Sequence, residues 1–164
     1  DCVRRHIRHG VEFAPGDRRF DIGEQVGDAE LLAERLPKRG GTYIQMDTAV
    51  VHAHAKQEGL EVIPIKEALK KHEWAREHYW KLVSVDADKY TAAAELSLHD
   101  GYVIRALPGA KAVWPVQACL YLDKDNISQY VHNLIIAEEG SELHVITGCA
   151  TSPRLKRGLH VGIS

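Results

Sequence analysis

Cysteine and histidine are the residues of this chain whose types and spacing bear most directly on chemistry. The 164 residues include three cysteines, Cys2, Cys119 and Cys149, which lie far apart and form no CxxC pair. A disulfide framework or a closed zinc site is therefore not expected. Free thiols are typical of a reducing compartment, which predicts a cytoplasmic protein.

Histidine spacing argues against metal sites in the first half of the chain. His52 and His54 lie in a segment predicted as a helix from Thr48 to Gly59, and a helix would point residues two apart to different faces. His72 and His78 are six positions apart, whereas the zincin motif HExxH needs a spacing of four.

The N-terminal residues 1–10 offer a weaker metal candidate. Cys2, His6 and His9 have the i, i+4, i+7 spacing of one helix face. The surrounding arginines favour a frayed basic end over a metal site. Residues 11–27 carry scattered glycines among charges and predict a loop.

The stretch 131–149 carries the most informative thiol. An apolar run, an acidic glycine turn at Glu138 to Gly140 and a second apolar segment predict strand, turn and strand, with Cys149 at the end. Cys149 has the strand parity of Leu143 and Val145, so we expect it inside the fold or at its rim. On residue chemistry alone, the simplest interpretation is a small buried apolar side chain.

Three histidines near this thiol in the sequence are candidates to support it as a base or ligand. They are His132, His144 and His160, and each is also compatible with packing on a strand. Cys119 has the opposite parity to Val116, which predicts that its thiol faces away from the apolar layer of its strand.

Composition bounds the function. A hydrophobic content of 45% suffices for a core, and a formal net charge of −2 predicts no bulk attraction to nucleic acid or to an anionic membrane. No apolar run reaches the roughly 20 residues of a transmembrane helix. Neither GxGxxG nor GxxxxGK[ST] is present, so no nucleotide loop is predicted.

The pattern divides the chain into a mainly helical region, 1–99, and a strand-rich region, 100–164, giving an α+β class. The predicted elements of the first region are a helix from Ala29 to Leu36, an extended piece from Thr42 to Met46, the Thr48 to Gly59 helix, a strand from Leu60 to Pro64, two short helices within 65–79, and the strongest helix, Asp86 to Leu98. The start at Asp1 and the end within an apolar stretch predict a piece of a longer protein.

The second region is predicted as short strands separated by turns. The strands are Tyr102 to Leu107, Ala112 to Trp114, Val116 to Leu122, the two of the stretch 131–149, and Leu159 to Ile163. A sandwich of hairpins and a parallel β-helix both satisfy this pattern, and periodicity does not decide between them.

Several motifs in order resemble the SufB/SufD family of iron–sulfur cluster assembly proteins. They are Asp100-Gly101 after a helix, Pro108 to Lys111, the PVQA step at Pro115 to Ala118, the acidic turn Glu138 to Gly140, and Gly148-Cys149. The resemblance covers roughly residues 40 to 164.

The resemblance implies a right-handed parallel β-helix flanked by helical parts. It implies a scaffold subunit, not an enzyme, that works with a SufC-type ABC ATPase and pairs with a SufB/SufD paralogue or a second copy of itself. ATP would be hydrolysed by the partner only, and the iron–sulfur cluster would be transient on the full complex. The family's cluster-holding residues and much of its ATPase contact lie in a C-terminal part beyond this sequence.

By resemblance, Cys149 falls on the cysteine of the SufB-type GC motif, which is implicated in receiving or relaying sulfur. SufB-type chains more often have Glu where this chain has Thr147. The cysteine favours a SufB-like role, whereas Thr147 favours a SufD-like structural partner. A β-rich enzyme with Cys149 as nucleophile is the third alternative, without a recognisable base or oxyanion motif.

Overall fold

The computed structural model describes residues 38–164, in which strands predominate over helices. The elements, in chain order, are β1 (Gly41–Met46), β2 (Ala49–Ala55), β3 (Leu60–Pro64), α1 (Ile65–Lys71), α2 (Glu73–His78), α3 (Lys89–Leu96), β4 (Tyr102–Ala106), β5 (Val116–Leu122), β6 (Ile127–His132), β7 (Leu134–Ala137), β8 (Val145–Thr151) and β9 (Gly158–Ile163). The prediction of a mixed α/β protein is confirmed at this level. The basic end with Cys2, His6 and His9, the loop over 11–27 and the helix from Ala29 to Leu36 lie outside the described residues.

The strands form three open sheets. One has the order β2-β1-β5-β8, the second β3-β4-β7, and the third contains β6 and β9. The pairs β1–β5, β5–β8, β4–β7 and β6–β9 are parallel, whereas β1–β2 and β3–β4 are antiparallel. Strands β4, β5 and β6 each pair with the strand that comes three places later in the chain. Because these pairs are not hairpins, the hairpin-sandwich alternative is wrong for the described residues.

The predicted strand, turn and strand within 131–149 are present as β7, a turn and β8. Gly140 takes a positive φ of 68° in the turn, which glycine adopts without strain. The two strands do not pair with each other, because β7 continues the sheet of β4 and β8 continues that of β5.

Successive side chains of β4 point alternately into two apolar clusters, one on each face of the sheet. Tyr102 and Ile104 belong to the larger cluster, in which the rings of Tyr43 and Tyr102 meet edge to face at 5.3 Å between centroids. Val103 points to the other face and packs with Ile65 of α1 in the smaller cluster. The sheets therefore have an inner face, on the larger cluster, and an outer face, partly covered by helices.

The helix predicted from Thr48 to Gly59 is wrong, because this segment contains β2. The chain reverses after β1 at Asp47, whose φ of 52° lies in the left-handed region, and β2 then pairs antiparallel with β1. The sequence AVVHAHA of β2 alternates small or β-branched residues with histidine, and sheet pairing outweighs the helix propensity of its alanines.

Three further details differ from the predicted elements. Ala112 to Trp114 is not a strand, and the backbone N–H of Val113 instead donates to the Gln57 side chain at 3.0 Å. The prediction missed β6, whose inner face carries the fully buried polar residue Gln129 where an apolar residue would mark a strand. The strongest predicted helix is present but shorter.

That helix, α3, begins at a capping box. The Asp88 side chain accepts hydrogen bonds from the backbone N–H groups of Tyr90 and Thr91, and the Thr91 hydroxyl oxygen accepts from the backbone N–H of Asp88. The division of the chain at residues 99 and 100 stays a prediction, although β1 pairs with β5 across it. No helix among residues 38–164 is long and apolar enough to cross a membrane.

Candidate functional site

The thiol of Cys149 lies beside the imidazole of His160. Cys149 is on β8 and His160 on β9, and Sγ is 3.4 Å from Nε2, a hydrogen-bond distance for sulfur. The two strands belong to different sheets, and their side chains converge on the inner face. An imidazole at this distance can take the proton of the thiol when a reactant approaches the sulfur.

Strand alternation explains why Cys149 faces inward. Leu143 and Val145, which share its parity, pack against the larger cluster, and Cys149 pairs in register with the buried Leu120 of β5. The predicted position, inside the fold or at its rim, agrees with this geometry.

The thiol is nevertheless accessible. Cys149 is exposed, so the interpretation as a small buried apolar side chain is wrong. An open cavity of about 230 Å³ is lined by Cys149, His160, Tyr102 and Leu120, among others. A small reactant therefore has room beside the sulfur.

A chain of hydrogen bonds continues from His160 into the core. The Nδ1 atom of His160 is 2.8 Å from Oε1 of Gln129, its register partner on β6. Gln129 is fully buried, and its Nε2 donates to the backbone carbonyl of Asp47. The imidazole is thus contacted by a side chain at each ring nitrogen.

The electrostatics of the site favour its neutral form. Burial raises the pKa of the Cys149 thiol and lowers the pKa of His160. Although Cys149 is exposed as a residue, the surrounding protein shields its sulfur enough for this effect. Burial also raises the pKa of Tyr102 to about 12, so its phenol stays protonated and is no base at neutral pH.

Known relatives match this chain across most of its length. It is 44% identical over 131 residues to an iron–sulfur cluster assembly SufBD family protein of Methanothermobacter thermautotrophicus, and 43% identical over 154 residues to one of Archaeoglobus fulgidus. This chain belongs to the SufBD family. The resemblance predicted from the motifs is confirmed.

The chain is also similar to the iron–sulfur cluster assembly protein SufB of Bacillus subtilis, with 27% identity over 128 residues. That match covers 75% of this chain and 28% of SufB. The match covers 77% of this chain for the Methanothermobacter protein and 91% for the Archaeoglobus protein, but only 32% and 41% of those relatives. No family model matches the sequence.

Of the three candidate histidines of this SufBD family chain, the structure brings His160 to the thiol and leaves the other two elsewhere. His132 is buried, with its ring 4.5 Å from that of Tyr79 and 4.4 Å from that of Trp80. Burial lowers the pKa of His132 to about 4. His144 is exposed and has the opposite parity to Cys149.

The second described thiol, Cys119, lies on the other side of the same sheet. Its neighbours Val116, Ala118 and Leu120 are buried on the inner face, whereas Cys119 is half-buried on the outer face, as its parity predicted. Burial raises the pKa of Cys119, and the nearby Cys149 raises it further.

Within residues 38–164, no group of three or more His, Cys, Asp or Glu side chains is arranged to hold a metal ion. His52 and His54 lie on a strand, so the predicted placement on different faces is wrong, and their rings are 6.3 Å apart.

Sequence reasoning missed Gln129 and Asp47. A polar residue on the inner parity of an otherwise apolar strand is the signal that could have found Gln129.

Proposed function

We propose that this chain is part of an iron–sulfur cluster assembly scaffold in which Cys149 accepts sulfur and His160 handles its proton. The observation that carries the proposal is the 3.4 Å contact between Cys149 Sγ and His160 Nε2 at an open cavity. Membership of a family named for iron–sulfur cluster assembly supports it. The cluster is the product of assembly, not a resident cofactor of the described residues.

The proposed step is a transfer of sulfane sulfur from a donor persulfide, R–S–SH. His160 Nε2 takes the proton of the Cys149 thiol, and the thiolate attacks the outer sulfur of the donor. A sulfur–sulfur bond forms on Cys149 while the bond in the donor breaks. The leaving thiolate takes the proton from His160, so Cys149–SH and R–S–SH become Cys149–S–SH and R–SH.

The same proposal includes the architecture predicted by resemblance, a right-handed parallel β-helix. The parallel pairs β4–β7, β5–β8 and β6–β9 each join residues about 30 positions apart, which is the length of a structural repeat. Three sheets built from such pairs are what stacked three-sided coils would give. The partners proposed are a SufC-type ABC ATPase and a SufB/SufD paralogue or a second copy, in the cytoplasm, with ATP hydrolysed by the ATPase.

The second candidate is a SufD-like subunit that completes the complex without a sulfur relay. Thr147, on the same strand parity as Cys149, stands where SufB-type chains more often have Glu, and this favours the alternative. The two candidates differ in what they require of Cys149.

Anaerobic reconstitution of the full-length protein with its ATPase partner tests the choice. We expect Cys149→Ser to abolish cluster build-up, followed by absorbance and by iron and sulfide content, because the hydroxyl cannot hold sulfane sulfur. Cys119→Ser is the matched control and should keep the wild-type yield. A wild-type yield from Cys149→Ser, with the fold intact by circular dichroism, would reject the relay and leave the SufD-like role.

A further inference from the structure

We infer that Gln129, anchored on the backbone carbonyl of Asp47, is a positioning residue that fixes the orientation and tautomer of His160, so that Nε2 accepts the Cys149 proton. The inference rests on the proposed role of Cys149. Gln129 and Asp47, which lie 20 and 102 positions before Cys149 in the sequence, thereby join His160 as residues that act on the thiol.

The Asp47 carbonyl decides which way the Gln129 amide points. A carbonyl oxygen only accepts hydrogen bonds, and the Gln129 amide nitrogen is the group in contact with it. The flipped amide would bring two oxygens together inside the core, where an unpaired polar group is costly. Gln129 Oε1 therefore faces His160.

The orientation of Gln129 then decides the tautomer of His160. Oε1 only accepts, so the Nδ1 atom 2.8 Å away must carry the proton. A neutral imidazole has one N–H, which leaves the Nε2 lone pair facing Cys149 Sγ at 3.4 Å. The titratable side chains that line the cavity with His160 are Cys149 and Tyr102, and burial keeps both in their protonated forms at neutral pH.

The anchor itself is held firmly. Asp47 is buried at a left-handed turn with φ of 52°, and its backbone N–H donates to the Tyr121 carbonyl at 2.7 Å. Its side-chain Oδ1 accepts from the N–H groups of Asp123 at 2.8 Å and Lys124 at 3.3 Å. These contacts tie the turn to the end of β5, so the carbonyl is held in place by contacts other than the one to Gln129.

Gln45 provides a matched control for the effect of burying an amide here. It is also fully buried, and its Nε2 lies 3.4 Å from the same Asp47 carbonyl. Its Oε1 accepts from the Tyr43 hydroxyl at 2.7 Å and not from His160. Replacing Gln45 therefore removes a buried amide beside the same carbonyl and leaves both the Gln129–Asp47 contact and the acceptor for Nδ1 in place.

The test compares Gln129→Leu and Gln45→Leu in the full-length protein. The rate of Cys149 alkylation by iodoacetamide is measured against pH by mass spectrometry of the Cys149 peptide, with the Cys119 peptide as internal reference. Nitrogen-15 NMR of labelled histidine reports the His160 tautomer. We expect Gln129→Leu to slow Cys149 on the order of tenfold at neutral pH and to populate the Nε2–H tautomer. Gln45→Leu should keep the wild-type rate and tautomer.

Equal slowing by both variants, or no slowing by Gln129→Leu, would overturn the inference. If Gln129→Leu fails to fold, Gln129→Glu decides. A carboxylic acid can donate to the Asp47 carbonyl through its O–H and accept from Nδ1 through its other oxygen, so this variant should keep the Nδ1–H tautomer and the wild-type alkylation rate. A shift of His160 to the Nε2–H tautomer in Gln129→Glu would also overturn it.

The two proposals fail in different ways. Alkylation reports the geometry of the thiol whether or not sulfur is ever accepted. A wild-type protein that shows the expected alkylation profile but takes no sulfur from glutathione persulfide would reject the proposed function and keep the positioning role of Gln129.

Discussion

The two described cysteines lie on neighbouring strands and occupy opposite faces of one sheet. Cys119 on β5 pairs in register with Gly148, and Cys149 on β8 pairs with Leu120, one position further along. Cys149 faces the cavity and has His160 at 3.4 Å. A shift of one residue along the paired strands changes the face that the thiol occupies, and only the thiol on the inner face has His160 as a base.

Strand β6 shows the same division between faces. Gln129 points inward and holds His160, whereas His132, three positions later, packs outside against Tyr79 and Trp80. His132 and His160, which lie on the two strands of one sheet, thus face opposite sides of it. His160 has a partner at each nitrogen, whereas Nδ1 of His132 is buried without a hydrogen-bond partner among the described residues.

The largest expected effect comes from removing the base on the inner face. His160→Gln should slow alkylation of Cys149 roughly 100-fold at neutral pH, because glutamine cannot take the thiol proton. His144→Gln changes an exposed histidine of the opposite parity to Cys149 and should leave the rate as in the wild type. Peptide mass spectrometry after a timed iodoacetamide pulse measures both. Equal rates of Cys149 alkylation in His160→Gln and His144→Gln would contradict the assignment of His160 as the base on the inner face.

The outer face should respond to acid through His132. Burial lowers the pKa of His132 from 6.5 to about 4. The neutral ring therefore contributes stability that is fully present above pH 6.5 and is lost as the pH falls towards 4. We expect this group to account for about 3 kcal/mol of the acid-induced loss in the free energy of unfolding, measured by urea titration.

His132→Phe should flatten that pH dependence, since phenylalanine cannot be protonated. Tyr79→Phe keeps the ring beside His132 and should preserve the wild-type slope between pH 6.5 and pH 4. A slope unaffected by His132→Phe would mean that the acid sensitivity of the fold arises elsewhere.

The smallest effect should come from adding one methyl group to each face. A Cβ on Gly162 would lie 3.0 Å from Nε2 of His160, whereas a Cβ on Gly148 would meet nothing within 4 Å. Gly162→Ala should therefore push the ring and slow Cys149 alkylation about threefold, since small misplacements of a base are costly. Gly148→Ala should leave the rate close to the wild type. The reverse order would contradict the assignment of the inner face.

The sequence predicted the turns, most strands after residue 100 and the parity of both thiols, because alternation and glycine or proline positions are local signals. It did not predict β2, whose alanines favour a helix until pairing with β1 decides. It also missed β6, since Gln129 on its inner face breaks the apolar pattern. His160 was one of three candidates, and only the pairing of β6 with β9 and of β5 with β8 selects it.

The acceptance of sulfur by Cys149 is tested most directly by exposing the full-length wild-type protein anaerobically to glutathione persulfide and finding which cysteine gains sulfur. Mass spectrometry of the separate cysteine peptides gives the answer. We predict that the Cys149 peptide gains the mass of one sulfur atom, that Cys119 does not, and that His160→Gln suppresses the gain. Sulfur on Cys119 to the same extent as on Cys149, or none on Cys149, would contradict the account.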